Sequence, residues 1–557
     1  MKKRRILKPL LYTLGSIAVV VAVAIWIFLS FYFEGALNKY AVPRLTEAAR
    51  VATHGKYNLT MGRISYTGRS VFCKNFILTR VGYDSSEHGN TLMKISIDSV
   101  RFVGVSWMDA LLGKDMQMTA LELNTPKIYM ADIEKERGSL KYLPIDTSKK
   151  KSTSLKTLPI ISFDSIVLRD IDVFLPDRSK SDDTPSFSNI ELKLTNFLLN
   201  EKTLAAQPLL YSDRVDFSML GTSYKLPGGD YALELHRLHG SFSDSLLTID
   251  TFAYRPLYSK EAFAARYKYD QPRLDLRCFD ISIRGINFVK LIAGTSLTFR
   301  SCAARSWSLD FFSDRRKADD PHPPNAVLPN DLVRSIKIPI DVDSFILNRG
   351  SVHWGERWPG SVEPGTLTFS DTRIAAHPFC TDTLNPRFGT PTQISFDALF
   401  VGESRVHGIV MYPLHSKAVN FSINATVGAF SAKRLNSELI PNERVEVTDG
   451  AITRGMVRID VRADVATTTV TPEYHDLSIK VLATDVHKKS GIIEGVKTFI
   501  ANTFTIRSNN MNADGKQAVS ATTSLKRTKD QEFLQFVWLT LRKSLGKVVG
   551  FNSPKSK

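Results

Sequence analysis

The chain is poor in the residue patterns from which metal centres and catalytic sites are built. Its 557 residues include four cysteines, Cys73, Cys278, Cys302 and Cys380, and no two of them form a Cys-x-x-Cys pair. This spacing gives no support to a zinc or dithiol redox site. In an oxidising compartment Cys278 and Cys302 are one candidate disulfide, and separate thiols are the alternative. The phosphate loop GxxxxGK[ST], the GxSxG elbow and the HExxH motif are absent. We therefore predict no catalytic, metal-binding or cofactor-binding residue and no enzyme activity.

Acidic charge is scarce at both ends of the chain. The formal net charge is +17, from 73 basic and 56 acidic residues. Residues 1–8 carry five basic and no acidic side chains, and residues 526–557 carry eight basic and two acidic ones, so the two ends supply +11. A nucleic-acid groove would place this charge on the folded body, whereas basic ends fit an anionic membrane surface. We expect no nucleic-acid partner.

The N-terminus has the features of a membrane anchor. A predominantly apolar run extends from Leu10 to Phe33, and its 24 residues exceed the roughly 20 that cross a bilayer as a helix. No small-x-small cleavage pattern follows, so we expect the anchor to stay attached. Its main anchoring residues are Leu10, Val19, Val20, Val21, Ile25, Trp26, Phe28 and Phe33. The topology is set by a basic flank, which belongs in the cytoplasm, formed by Lys2, Lys3, Arg4, Arg5 and Lys8.

The exported remainder divides by periodicity and composition. A helical spacing of apolar residues follows the anchor, and from Tyr57 the spacing changes to the period of two that is typical of strands. We predict a mostly β chain with a flank and anchor at 1–33, a juxtamembrane helix at 34–56, a first β-rich half at 57–312, a linker loop at 313–325, a second β-rich half at 326–528 and an amphipathic helix at 529–551.

The clearest alternation of apolar and charged residues runs from Val457 to Val465. Such a strand has one buried and one solvated side. Val457, Ile459 and Val461 lie on the apolar side, but the pattern does not identify what covers them.

A short motif occurs three times. Residues Ile95–Phe102, Ile161–Leu168 and Ile340–Leu347 each read apolar-x-apolar-Asp-Ser-apolar-x-apolar. The pattern predicts a strand whose alternation shifts by one residue at Asp-Ser, as at a β-bulge or bend. The unequal intervals exclude a strict solenoid period. A duplicated β unit with insertions is one interpretation, and three unrelated strands are the other.

The predicted C-terminal helix has an apolar stripe. Its members recur at helical spacing and are Leu534, Val537, Trp538, Leu541 and Leu545. We expect Trp538 and Leu541 at the centre of the buried surface. The stripe fits a helix that caps the end of a sheet, or one that lies on a membrane.

The order of motifs in the first third of the chain resembles the start of AsmA-like proteins. After the anchor come Tyr57–Ile64, the strand Ile95–Phe102, a short Leu-Leu-x-Lys turn within Trp107–Lys114 and a Leu-x-Leu-x-x-Pro-x-Ile strand within Met118–Met130. The resemblance covers roughly residues 1–175. No catalytic motif is part of it.

This resemblance implies a Gram-negative inner-membrane protein with a cytoplasmic N-terminus and a periplasmic body. It implies an elongated, curved, groove-like antiparallel sheet with short helices at both ends, as in bridge-like lipid-transfer proteins. It further implies phospholipid transport toward the outer membrane or outer-membrane biogenesis. The expected partners are the inner membrane, a phospholipid or other acyl-chain ligand, and envelope proteins.

Two functions of different classes fit the residues. In a lipid-holding groove, Val457, Ile459 and Val461 are candidate lipid-facing residues. In a membrane-anchored scaffold or assembly factor, the same residues fill a closed core and the outer surface binds proteins.

Overall fold

The computed structural model describes residues 35, 38–39, 42–52, 55–67, 70–83, 90–105, 115–132, 141–142, 160–174, 187–200, 202–203, 209–292, 295–318, 320, 325–482, 506–510 and 518–550. The predicted anchor from Leu10 to Phe33, its basic flank and the turn at Trp107–Lys114 lie outside these residues. Within the described ranges, no helix is both long and apolar enough to cross a membrane.

The described part is mostly β, which confirms the predicted fold class at that level. The strands are β1 Tyr57–Thr60, β2 Ile64–Thr67, β3 Ser70–Arg80, β4 Gly82–Tyr83, β5 Asn90–Val103, β6 Met116–Asn124, β7 Lys127–Asp132, β8 Lys141–Tyr142, β9 Ile161–Phe174, β10 Phe187–Leu199, β11 Ser212–Lys225, β12 Tyr231–Ser241, β13 Leu246–Pro256, β14 Arg273–Arg284, β15 Leu297–Ser313, β16 Ile340–Glu356, β17 Gly365–His377, β18 Phe379–Cys380, β19 Thr392–Phe400, β20 Ser404–Tyr412, β21 Phe421–Val427, β22 Phe430–Ser431, β23 Val445–Arg462, β24 Val465–Val481 and β25 Ala521–Lys526. Twenty-three of these strands form mixed β-sheet, and β4 pairs with β8 separately.

Helices are short, apart from the one near the C-terminus. They are α1 Val42–Ala52, α2 Lys260–Arg266, α3 Phe288–Ile292, α4 Pro329–Ser335, α5 Asn436–Glu443 and α6 Phe533–Val549. Helix α1 lies within the predicted juxtamembrane helix at 34–56, and α6 lies within the predicted helix at 529–551. Gly550 caps the C-terminus of α6, and its φ of 98° is the left-handed conformation that glycine adopts without strain.

The chain divides into two compact units. The first comprises Met1–Thr222 and Arg237–Ser243, and the second comprises Ser223–His236 and Asp244–Lys557. The predicted linker at 313–325 lies inside the second unit, because the strand before it, β15, pairs directly with the strand after it, β16.

In the first unit, β3 pairs antiparallel with β1, β2 and β5, and β5 pairs with β6 and β7. Strand β9 pairs parallel with β6 and β7 and antiparallel with β10, which pairs with β11. The sheet is therefore mixed. The expected wholly antiparallel sheet is wrong, because the chain crosses over before β9 instead of turning back in a hairpin.

The second unit repeats this arrangement. Strands β13, β14 and β15 are antiparallel neighbours, and β15 and β16 are parallel. From β16 the neighbours are β17, β19, β20, β21, β23, β24 and β25, all antiparallel. The predicted strand from Val457 to Val465 ends earlier, at Arg462. Ala463 and Asp464, with φ of 47° and 65°, form a two-residue hairpin turn there.

The predicted shift of alternation at Asp-Ser is confirmed. Ile97 and Val100 flank Asp-Ser in the first copy, Phe163 and Ile166 flank it in the second, and all four are buried. Two residues three positions apart in an extended strand would otherwise lie on opposite faces.

The partner strand kinks at the same place, so the irregularity is not a bulge of one strand. Opposite Asp98 lies Asn75 with a φ of 51°, and opposite Asp164 lies Asn196 with a φ of 54°. Asparagine tolerates this left-handed conformation better than most residues. At the kink each strand leaves one residue without a partner in the ladder. The register is therefore the same on both sides of the kink.

A second irregularity follows the motif at a fixed distance. Gly104, Asp170 and Arg349 lie six residues after the motif aspartate in the three copies, with φ of 80°, 56° and 45°. The second and third copies also occupy β9 and β16, each of which pairs parallel with a strand that precedes it in the chain. These shared features favour a duplicated unit over three unrelated strands.

Candidate functional site

The second unit carries an apolar face that crosses ten strands. Directly opposite residues on neighbouring strands share a face of the sheet, so the strand register defines rows of side chains. One row runs from β13 to β24 in the order Ile249, Ile281, Ala304, Leu347, Ile374, Phe396, Gly408, Ala425, Val457 and Val470. A second row beside it runs Leu247, Ile283, Cys302, Phe345, Ala376, Ile394, Val410, Ile423, Ile459 and Thr468. At about 4.8 Å between strands, each row spans roughly 43 Å along the sheet.

One half of these rows is built from strands alone, and we call it the open half. Around buried Cys278, Ile281, Ala304 and Trp307, it consists of the partly exposed side chains of Ile249, Phe252, Leu276, Ile283, Cys302, Leu309, Leu347, Val352 and Ile374. All of these residues lie in β13 to β17. No helix contributes to this cluster in the part of the chain that the structure describes.

Helix α6, together with Leu328 at the start of α4, packs on the other half, from β19 to β24, which we call the covered half. Ile459 is 1% exposed and Val461 is 2% exposed, and both belong to one buried cluster with Phe536 of α6. Val457 is partly buried at the border of this cluster. The structure therefore places two of the candidate lipid-facing side chains, those of Ile459 and Val461, in the buried cluster that includes Phe536.

The buried stripe of α6 differs from the predicted one. Its fully buried residues are Phe536, Thr540, Ser544 and Val548. Leu534 and Trp538, two members of the predicted stripe, are 57% and 49% exposed. The remaining members do pack against the sheet clusters, and they are Val537, Leu541 and Leu545.

Two hydroxyl side chains explain the difference. The Ser544 Oγ donates a 3.1 Å hydrogen bond to the main-chain carbonyl oxygen of Thr468 in β24. The Thr540 Oγ1 donates to the Val537 carbonyl oxygen within the helix at 2.9 Å. Because both hydroxyls are satisfied, these small polar residues can be buried and bring the helix close to the sheet. Because the two residues are polar, a search for apolar residues at helical spacing does not find them.

Two lysines of α6 reach β25, which pairs only with β24 among the residues that the structure describes. The Lys543 Nζ donates to the Ser524 carbonyl oxygen at 2.8 Å, and the Lys547 Nζ donates to the Thr522 carbonyl oxygen at 3.3 Å. Charged side chains on an edge strand oppose pairing with another sheet. These contacts favour the interpretation of α6 as a cap on the end of the sheet.

Carboxylates gather where α5 meets the sheet and α6. Glu438 accepts a 2.7 Å hydrogen bond from the Asn442 Nδ2, and its Oε2 is buried without a partner among the described residues. Burial raises the pKa of Glu438 to about 7, and the nearby charges of Glu356 and Glu443 add to the rise. The Glu443 carboxylate lies 3.4 Å from the Arg542 guanidinium, which joins α5 to α6.

The first unit carries a separate apolar face. Its central row crosses β5, β6, β9, β10 and β11 in the order Phe102, Leu121, Ile166, Leu194 and Val215. Aromatic rings follow one another beside this row. The centroid distances are 6.3 Å from Phe102 to Phe163, 5.8 Å from Phe163 to Phe197 and 6.2 Å from Phe197 to Tyr211.

The described residues contain no group of three or more His, Cys, Asp or Glu side chains that could hold a metal ion. All four cysteines are free thiols, and burial raises the pKa of Cys302 to about 11. A shallow depression over Asn424, Arg458 and Thr469 lies on the polar face of the sheet, opposite the apolar rows.

Sequence reasoning identified the covered half and missed the open half. Ile249 and Phe252 share a cluster although they are three residues apart, as do Cys278 and Ile281. A search for strict alternation fails at such kinks. The sequence signal that could reveal such a kink is a non-glycine residue that tolerates positive φ, such as Asp280, whose φ is 50°.

No family model matches the chain, and no characterised protein sequence matches it.

Proposed function

We propose that this chain is an inner-membrane-anchored protein whose periplasmic body binds phospholipid acyl chains along the apolar faces of its sheets. It works in phospholipid transport toward the outer membrane or in outer-membrane biogenesis. The observation that carries the proposal is the open half, where β13 to β17 present partly exposed apolar side chains on one face.

The open half has the surface chemistry that an acyl chain needs. Leu276, Leu347, Val352 and Ile374 offer aliphatic contacts without a polar partner to satisfy. Each methylene moved from water to such a surface contributes about 0.8 kcal/mol. A contiguous apolar surface on a monomer is typical of a binding site. A row that crosses several strands suits a long, flexible ligand better than a compact one.

The charge distribution and the N-terminal sequence support the location. The apolar run from Leu10 to Phe33 and the basic residues before it predict an anchor with its N-terminus in the cytoplasm. A body exported on such an anchor faces the compartment through which phospholipids must pass to reach the outer membrane.

A membrane-anchored scaffold is the second candidate. The observation that favours it is the covered half, where Ile459 and Val461 pack with Phe536 in a filled core. If the open half is filled in the same way by a protein partner, the body holds proteins together and conducts no lipid.

Photocrosslinking separates the two functions. A photoreactive amino acid at Val352 or Ile374 faces the apolar side, and one at Ser351 or Arg373 in the same strands faces the polar side. The full chain is irradiated in cells grown with radioactive phosphate, and labelled adducts are counted. We expect phospholipid adducts at Val352 and Ile374 and none at the two control positions.

The outcomes are distinct. Lipid adducts confined to the apolar positions support the groove. Protein adducts without lipid at Val352 and Ile374 contradict the groove and support the scaffold.

A further inference from the structure

Exposed apolar side chains gather at one end of the strands of the second unit. At this end β14 stops, β15 and β16 start, and β20 turns back to β21. The connecting segments there are residues 285–292, 325–339, 381–391 and 413–420. Eight large apolar side chains in these segments are 39% to 92% exposed, and we call them the apolar rim: Val289, Leu291, Val327, Leu332, Ile336, Ile338, Leu384 and Phe388.

Main-chain hydrogen bonds place three of these segments side by side. The N–H of Leu297, shortly after α3, donates to the Pro339 carbonyl oxygen at 2.8 Å. The Thr381 N–H donates to the Ile340 carbonyl oxygen, also at 2.8 Å. The segment that contains α3, the residues just before β16 and the loop at 381–391 are therefore neighbours.

Two further contacts extend the series to helix α4. The rings of Phe388 and His415 have centroids 5.7 Å apart, which joins the loop at 381–391 to the segment at 413–420. The Ser416 carbonyl oxygen accepts a 3.2 Å hydrogen bond from the Asn330 Nδ2 in α4. The members of the apolar rim thus lie on one connected series of loops and short helices.

The opposite ends of the same strands are charged. In the described loops that connect β13 to β24 at that end, Val362 is the one large apolar residue of comparable exposure, at 87%. Ion pairs occupy the region instead, with 2.9 Å between Arg315 and Asp270 and 2.6 Å between Arg316 and Asp314. Exposed apolar side chains are therefore a property of one end of the sheet, and not of its loops in general.

Lysines are interleaved with the apolar rim. Lys290 and Lys337 each lie between two of its members in the sequence, and Lys417 lies on the segment at 413–420; all three are exposed. None of them forms an ion pair with another residue of the described ranges. Apolar side chains among unpaired lysines are typical of a surface that lies on an anionic membrane, whereas lysine is depleted in protein–protein interfaces.

Apolar contacts continue from the rim to the apolar rows. Phe345 belongs to the second row, which is the row nearer to the rim. Its ring centroid lies 5.6 Å from that of Phe299 and 5.9 Å from that of Phe379, which directly precedes Cys380 and the loop at 381–391. A bilayer at the rim would therefore lie next to the second row.

We propose that the apolar rim docks on the surface of an anionic phospholipid bilayer. Its apolar side chains enter the interface, and Lys290, Lys337 and Lys417 contact the phosphate groups. The inference rests on the proposed function and adds to it the surface by which the body meets the membrane from which it takes lipid or to which it delivers lipid.

The test uses the full chain reconstituted in vesicles of equal parts phosphatidylglycerol and phosphatidylcholine. An environment-sensitive fluorescent amino acid replaces Leu384 of the rim, which is 92% exposed, or Val362 at the opposite end, which is 87% exposed. The phospholipids carry a nitroxide quencher just below the headgroup. Protein-free vesicles of the same composition are added, so that a second bilayer is also available. We expect quenching of the probe at Leu384 and none at Val362.

A lysine variant tests the charge contribution. Lys337→Gln should lower the ratio of quenched to unquenched probe at Leu384 about fivefold, the contribution of one lysine near an anionic surface. Lys268→Gln is the matched control, because Lys268 is exposed at the opposite end of the strands, and it should leave the ratio unchanged. Vesicles of phosphatidylcholine alone should give less quenching than the anionic vesicles.

The outcomes separate the possible occupants of the rim. No quenching at Leu384, equal quenching at Leu384 and Val362, or equal quenching in neutral and anionic vesicles overturns the inference. A blue shift of the Leu384 probe without quenching means that a protein, such as a second copy of this chain, covers the rim, and it overturns the inference as well.

The proposed function is tested separately by phospholipid adducts at Val352 and Ile374. Docking without these adducts would contradict the proposed function and leave the docking surface standing. Adducts without docking would overturn only the inference.

Discussion

The Ser544 hydroxyl donates a 3.1 Å hydrogen bond to the main-chain carbonyl oxygen of Thr468, and both residues are fully buried. Thr468 is the direct cross-strand neighbour of Ile459. The contact fixes α6 over the apolar face beside Ile459, which the sequence analysis named as a candidate lipid-facing residue. The face is thereby divided into a half closed by the protein and a half built from strands alone.

Phe536 should matter more than Trp538 for the stability of the body. Phe536 is 1% exposed and Trp538 is 49% exposed. Phe536→Ala should cost about 3–5 kcal/mol, and Trp538→Ala about 1 kcal/mol or less. Temperature-dependent proteolysis of the full chain measures both. Equal losses would mean that α6 does not pack as described.

The lysines at the edge of β25 should prevent this strand from pairing with a strand of another chain. Lys543→Ala/Lys547→Ala frees the carbonyl oxygens of Ser524 and Thr522, and exposed edge strands pair with one another. We expect increased self-association of the double variant in sedimentation experiments. Lys529→Ala, at an exposed position outside α6, should leave the sedimentation unchanged. Unchanged association of the double variant would show that the lysines do not protect the edge.

The contribution of Glu438 to stability should fall as the pH rises toward neutrality. The pKa of Glu438 is raised from 4.5 to about 7 in the folded chain, chiefly by burial. The folded state therefore favours the protonated acid, and its contribution is complete below pH 4.5 and is lost as the pH rises through about 7. Glu438→Gln cannot ionise and should flatten this decline in the unfolding temperature. An identical pH profile for the variant would refute the assignment to Glu438.

The N-terminal anchor should remain attached with its basic flank in the cytoplasm. The mature chain should therefore retain the run from Leu10 to Phe33 in mass spectrometry. A reporter that is active only in the cytoplasm should be inactive when fused after Lys557. A mature chain that begins between Phe31 and Ala41, or an active reporter, would contradict this topology.

The sequence predicted which residues are buried better than what buries them. The alternation around Ile459 correctly placed it on an apolar face, but a strand pattern is the same whether a helix, a second sheet or a lipid covers that face. Thr540 and Ser544 escaped notice because burial of a hydroxyl depends on a hydrogen-bond partner that the local sequence does not show. The Asp-Ser kink was predictable because it changes the local pattern of apolar residues.

The pairing of distant strands was beyond local reasoning. Strands β15 and β16 are parallel neighbours although residues 314–339 separate them. The sequence predicts a linker loop at 313–325 within this stretch, and a loop between two strands is compatible with a hairpin, a crossover or a domain boundary. Only the register of Phe299 with Val342, and of the pairs after it, identifies a crossover inside one unit.

The most direct test of the account is the profile of phospholipid adducts along the apolar rows of the full chain in cells. Photoreactive residues are placed one at a time at Ile249, Leu347 and Ile374 in the open half and at Ile459 in the covered half. We predict lipid adducts at the first three positions, and at Ile459 only a crosslink within the chain to α6. Lipid at Ile459 with none at Ile249, Leu347 and Ile374, or no lipid at any of the four, would contradict the account.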